Sequence, residues 1–157
     1  MGTDKGYCFD SMSFIYLVKR YPKHIAAFKP IWSALETMIG KSLILSPMES
    51  YLEIEYGGDE VSEWVKENKR HVFLEPDEKD IETVKKILSK YPNLHDKKKK
   101  RYDADPFVIA LALNRGLTPV TDEKRTHIDG KKNIANVCLN YGIKTMTLVE
   151  FIEKLTG

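Results

Sequence analysis

Apolar positions along this chain fall into short runs that alternate with helically spaced faces. Tyr7-Cys8-Phe9 is an apolar run of strand length that passes directly into the polar Asp10-Ser11-Met12-Ser13. Phe14, Ile15, Leu17 and Val18 then recur at helical spacing, so the segment reads strand, turn, helix. A second helix is predicted from about Pro22 to Ile39, ended by Gly40, whose missing Cβ suits the left-handed residue after a helix. Lys41 to Leu45 supplies strand two. Ser46-Pro47-Met48-Glu49 carries a helix-start signature: Ser as N-cap, Pro at the first helical position, and Glu placed to return a hydrogen bond. That helix is expected to end near Glu55, before Gly57-Gly58. Asp59 can then cap a short helix that carries Val61, Trp64 and Val65.

Downstream, Asp77 opens a helix in which Ile81, Val84, Leu88 and Tyr91 share one face, and Pro92 ends it. Asp105 is predicted to cap the next helix, with Pro106 in its first turn. The stretch Phe107 to Leu113 is apolar nearly all round, which places that helix against a sheet, and Gly116 ends it. Leu117 to Thr121 reads as strand three, Ile134 to Leu139 as a helix stopping near Gly142, and Ile143 to Met146 as strand four. Thr147 and Glu150 form a second capping box that opens a last helix with Phe151, Ile152 and Leu155. Strands alternating with helices predict an α/β architecture in which helices cover both faces of a parallel sheet. Neither a repeat nor a domain boundary interrupts residues 1–157, which are read as one domain.

Composition narrows the classes. Apolar residues make up 42% and charged residues 31%, a globular balance, and the net charge of +2 is close to neutral. A strong hold on nucleic acid therefore needs cations gathered on one face, since affinity follows the cations that contact phosphate. Lys97-Lys98-Lys99-Lys100-Arg101 is such a concentration. Cys8 and Cys138 are too few to staple the fold and lack a C-x-x-C spacing, so a reduced cytoplasm is the expected compartment. The longest apolar runs fall well short of the ~18 residues of a membrane span, and no secretory stretch opens the chain.

Chemistry concentrates where strands end. In an open parallel sheet, ligands bind beyond the carboxyl ends of the strands. Asp10 follows strand one, Asp122 and Glu123 follow strand three, and Asp105 opens the buried helix that feeds strand three. Carboxylates brought together raise one another's pKa unless a cation neutralises them, and hard divalent cations such as Mg²⁺ or Mn²⁺ favour oxygen ligands. A fourth acid would come from the helix after Ser46. Glu49 is already explained there as the capping-box residue, so Glu53, one turn further along the same face, is favoured. Each acid also has a plainer reading. Asp10 and Asp105 are good N-caps, Glu53 suits a solvated helix face, and Glu123 sits in an Asp-Glu-Lys-Arg loop with Asp122, Lys124 and Arg125. His24, His71, His95 and His127 are scattered without ligand or nucleophile spacing.

Four segments together resemble the PIN domain family: Phe9-Asp10-Ser11, Pro47 to Glu53, Ala104 to Ala110, and Val120-Thr121-Asp122-Glu123. Within that family the likeness is to VapC-like toxin ribonucleases and an uncharacterised DUF4411-type branch. The resemblance implies a three-layer α/β/α sandwich around a central parallel sheet of four to five strands. It also implies RNA hydrolysis by a water that Mg²⁺ or Mn²⁺ activates. Asp10, Glu53, Asp105 and Glu123 match the catalytic acids, with Asp10, Asp105 and either Glu123 or Asp122 as metal ligands. At the fourth place PIN domains usually carry Asp two residues after the Thr, and here Glu123 stands there. Ser11 and Thr121 would orient the acids, and Lys98, Lys99, Lys100 and Arg101 would bind the RNA backbone, with Tyr102 available for stacking. A protein antitoxin and a homodimer are further implications. The alternative is a catalytically silent PIN-like module that binds RNA or protein. An aspartyl-nucleophile phosphatase is set aside, because Met12 occupies the place of its second Asp.

Overall fold

The computed structural model describes residues 5–56, 60–94, 103–123 and 133–157. Four short strands, β1 (Tyr7–Phe9), β2 (Ile44–Pro47), β3 (Phe73–Leu74) and β4 (Thr118–Val120), pair in parallel in the order β3-β2-β1-β4. The helices among the described residues are α1 (Ser11–Arg20), α2 (Lys29–Gly40), α3 (Met48–Glu55), α4 (Glu60–Glu67), α5 (Lys69–Val72), α6 (Glu78–Lys90), α7 (Asp105–Arg115), α8 (Ile134–Asn140) and α9 (Leu148–Thr156). None of them is long and apolar enough to cross a membrane.

Alternation along β1 creates the three layers. Successive strand residues point to opposite faces, so Tyr7 and Phe9 enter one core and Cys8 the other. The first core gathers Phe14 and Leu17 of α1, Trp32 and Leu35 of α2, Val61 and Val65 of α4, and Phe151 of α9. Phe151 stands edge-on to both Tyr7 and Phe9, with ring centroids 5.0 Å apart in each case. Trp32 and Trp64 pack against each other in the same layer at 5.8 Å. On the other face Cys8 meets Val84 and Ile87 of α6, Val108 and Ile109 of α7, and Val137 and Cys138 of α8. Both cysteines are buried free thiols. Burial pushes the Cys8 thiol well above its usual value and Cys138 up to about 12, so neither is a reactive thiolate.

Several local expectations are corrected. Ser46 and Pro47 belong to β2, and the Ser46 hydroxyl donates to the Phe9 carbonyl at 2.8 Å instead of capping α3. Pro47 occupies the N-cap place of α3 with no side-chain cap. Gly40 lies inside α2, and the left-handed residue that turns the chain toward β2 is Ser42, at φ 58°. A separate 3-10 turn at Ala26–Phe28 precedes α2, so the helix does not begin at Pro22. β3 was not anticipated from the sequence. The predicted strand at Ile143 to Met146 reduces to one bridge between Val120 and Met146. Thr118 and Val120 direct their backbone hydrogen bonds to the β1 side, whereas Pro119 and Thr121 face Met146. Proline has no N–H, so a ladder there has no donor at 119 and ends after one pairing.

Glu49 also departs from its expected capping role. Its Oε1 is buried with no hydrogen-bond partner among the described residues. Burial chiefly, then the charges of Glu75 and Asp80 against a contact with its own backbone, push its carboxyl from 4.5 to about 7. Between those two values the folded chain holds a proton that the unfolded chain has released, so folding stability from this group falls as pH rises and levels off above about 7. Glu49→Gln should therefore melt close to wild type near pH 4.5 and higher than wild type at pH 8. Thermal unfolding followed by circular dichroism across that range checks this, and parallel wild-type and variant curves would refute it.

Candidate active site

The strand order places a topological reversal between β1 and β4, because the chain proceeds from β1 through β2 to β3 and then returns to the far side of β1. A crevice opens at such a point beyond the strand ends. Two turns define it: the chain leaves β1 at Asp10 and β4 at Thr121.

Asp10 is 5% exposed and takes an extended conformation as the N-cap of α1. Its Oδ1 accepts the Ser13 backbone N–H at 2.7 Å, and its Oδ2 accepts the Thr121 hydroxyl at 2.6 Å. The cap role and the crevice position thus coincide in one side chain. The turn is tied to β4 twice more, since Asp10 N–H donates to Val120 O at 3.2 Å and the Ser13 hydroxyl donates to the same carbonyl at 2.9 Å. Thr121, itself 1% exposed, also accepts the Glu123 N–H at 3.2 Å. One buried hydroxyl therefore fixes both the Asp10 carboxylate and the backbone that presents Glu123.

The other acids arrive from separate elements. Glu53 sits on α3, where its Oε1 accepts the Ser11 hydroxyl at 2.9 Å. Asp105 is the first residue of α7, and Ala104 takes the N-cap place that the sequence assigned to Asp105. Glu123 follows β4, and its Oε2 accepts the Ile134 N–H at 2.7 Å at the start of α8, where the helix dipole favours negative charge. Asp10, Glu53, Asp105 and Glu123 line one cavity of about 250 Å³ together with Ser11, Met12 and Ile15. Asp122 is not among the lining residues: its Oδ1 accepts the Leu148 N–H at 3.0 Å, and its Oδ2 lies 3.9 Å from Arg20 Nη1. His24 and His71 are exposed. Lys98, Lys99, Lys100, Arg101 and Tyr102, with His95 and His127, lie outside the described residues.

Burial raises the Asp10 carboxyl above its ordinary value; the hydrogen bonds from Thr121 and Ser13 pull it back in part, and Asp122 adds a further push upward. A cation would relieve that cost. The donor set is made of carboxylate oxygens, which suits Mg²⁺ or Mn²⁺. No three His, Cys, Asp or Glu side chains among the described residues are already close enough together to hold an ion. Among the described residues the cavity is thus a set of carboxylates carried by separate elements and not a closed cage.

Sequence reading did not single out Ser13, nor Met12 and Ile15 as cavity residues. The N-cap spacing from Asp10 to Ser13 was a usable signal for the backbone bond. Nothing local could reveal a hydroxyl bond to a carbonyl 107 positions away.

Comparison with known proteins adds two findings. A family model described as "Domain of unknown function (DUF4411)" matches residues 7–156. Among solved structures, the crystal structure of VapBC2 from Rickettsia felis bound to a DNA fragment from their promoter is similar at a TM-score of 0.53 and 12% identity, covering 90% of this chain and 97% of that chain. At that identity the likeness establishes a shared fold. No curated protein matches the chain.

The role of the Thr121 hydroxyl is testable without any ligand. Thr121→Val should raise the Asp10 carboxyl pKa further, because it removes the largest influence that lowers it. It should also cost about 1–3 kcal/mol of stability by leaving a buried acceptor short of a donor. A ¹³C titration of the Asp10 carboxyl and urea unfolding read the two effects, and an unmoved Asp10 titration would contradict the assignment.

Proposed function

The chain belongs to the DUF4411 family, which is PIN-like, and from that premise we propose that it is a metal-dependent endoribonuclease, the toxin of a toxin–antitoxin pair. The observation that supports this reading is the convergence of Asp10, Glu53, Asp105 and Glu123 on one cavity at the sheet's reversal point. In it, Asp10, Asp105 and Glu123 would hold a Mg²⁺ or Mn²⁺ ion. When bound, the ion supplies an acidified water and neutralises charge on the phosphodiester. The remaining work belongs to the chain. Ser13 N–H and the Thr121 hydroxyl keep Asp10 in one orientation. The Ser11 hydroxyl does the same for Glu53, whose carboxylate would serve as the proton acceptor at the cavity. Glu123 is anchored through one oxygen to the start of α8 and lines the same cavity. Met12 and Ile15 contribute the apolar part of the cavity lining. A protein antitoxin that covers the crevice, a homodimer and a cytoplasmic setting complete the proposal.

The test is cleavage of a single-stranded RNA by the purified chain with Mg²⁺ or Mn²⁺ and with EDTA. Asp10→Asn and Asp105→Asn should each reduce the metal-dependent rate on the order of 10²-fold or more, whereas Asp122→Asn, outside the cavity, should change it far less. Metal-dependent cleavage that persists in both cavity variants would sink the site assignment.

A second reading, a silent PIN-like module that binds RNA or protein, is favoured by Glu123 standing where PIN domains usually carry Asp and by the commitment of its Oε2 to the Ile134 N–H. Binding of Mn²⁺ to the folded state raises stability by mass action, by about 2.7 kcal/mol at a hundred times the dissociation constant. A higher melting temperature in millimolar Mn²⁺ that Asp105→Asn abolishes is the outcome expected of the nuclease, and no shift in the wild-type chain favours the silent module.

A further inference from the structure

Helix α1 begins at the wall of the acidic cavity and leads away from it. Ser13, Phe14 and Leu17 form its buried face. Met12, Ile15, Tyr16, Lys19 and Arg20 stand at i, i+3, i+4, i+7 and i+8, so they form a second stripe, in which Ile15 and Tyr16 are half-buried against the core and Met12, Lys19 and Arg20 are exposed. Met12, 44% exposed, and Ile15 line the cavity. Two turns on, about 12 Å along the axis, the Arg20 guanidinium lies over the Tyr16 ring, 3.8 Å from its centroid. The Arg20 side chain remains 58% exposed, and Asp122 is 3.9 Å away. That distance is longer than a charge-assisted hydrogen bond, so among the described residues the pairing leaves the guanidinium plane available. Lys23, by contrast, is held by Glu36 at 2.6 Å.

The acids of the cavity repel a polyanion, so a strand placed there needs attraction from beside it. The outer face of α1 offers the three things a single strand requires: apolar surface at the cavity lip, a planar stacking surface, and positive charge. We propose that this face of α1 is a track for single-stranded RNA. A base next to the phosphate in the cavity packs on Met12 and Ile15. A following base stacks on the outer face of the Arg20 guanidinium, which Tyr16 backs, and the Arg20 charge meets the adjoining phosphate. Lys19 and Arg20 also have a plainer use, since cations in a last turn complement the helix dipole. The two roles separate chemically: lysine keeps the charge and the dipole contact, but it lacks the planar group.

This inference rests on the nuclease reading for the identity of its ligand, and binding is therefore measured apart from cleavage. The full chain is titrated against a fluorescein-labelled single-stranded oligoribonucleotide in EDTA, with anisotropy as the readout, and cleavage is assayed separately with Mn²⁺. Arg20→Ala should weaken binding about tenfold or more and lower the salt dependence by roughly one released counterion. Arg20→Lys should retain the salt dependence yet lose most of the affinity. An RNA duplex of the same sequence should bind more weakly than the single strand, and melting temperatures should stay near wild type. Wild-type affinity in Arg20→Lys would reduce the residue to a charge and overturn the track, as would unchanged binding in Arg20→Ala or no binding by the wild-type chain. Arg20-dependent binding without cleavage by the wild type would uphold the track and fail the nuclease reading. Cleavage with Arg20-independent binding would do the reverse.

Discussion

β1 is hydrogen-bonded on both edges and buried on both faces, so every group it presents must be answered by a neighbour. Its three residues divide the interior: Tyr7 and Phe9 seed the core that Phe151 closes, and Cys8 seeds the core beneath α7. Its central place also means that the chain must leave it at the reversal of the sheet. Asp10 inherits that position, and with it the burial, the cap of α1 and the bond to Thr121. Packing and chemistry are thus two consequences of one pairing pattern.

Two carboxyl groups with raised pKa values show different solutions to the same electrostatic cost. Asp10 is more deeply buried, yet it accepts two short hydrogen bonds from groups that are themselves locked in place. Glu49 has less burial but an oxygen with no partner among the described residues and two acids for neighbours, and its carboxyl shifts to about 7. Donors fixed in advance hold Asp10 in one orientation, the condition for presenting a carboxylate to a ligand. Glu49 has no such frame. The molecule spends its buried donors on the acid at the reversal point.

Much of this was legible from residues alone, for physical reasons that can be named. The run Tyr7-Cys8-Phe9 followed by a cap-forming Asp, and the all-round apolar stretch after Asp105-Pro106, are local patterns with local causes, and both elements form within a residue or two of expectation. The alternating order of elements carried the α/β/α layering and the parallel sheet. The capping box read at Ser46 failed because two uses compete for one hydroxyl. A carbonyl on the neighbouring strand, 37 positions away in sequence, won it. β3 was missed because two residues are too short to show a period of two. Which of Asp122 and Glu123 lines the cavity was equally beyond local reading, since it is settled by the backbone N–H of Leu148 and of Ile134, each at a helix start far along the chain.

Pro119 has a further consequence at the border of the sheet. An open edge of paired backbone groups is a template on which another chain can extend the sheet, and long regular edges invite aggregation. Here the border beyond β4 offers a proline where an incoming strand needs a donor, and Met146 already occupies the adjoining carbonyl and N–H. The opposite border, β3, is two residues long. Among the described residues neither side leaves room for a register of several residues, so the acids gather at the strand ends of a sheet whose flanks are poor templates for neighbouring copies.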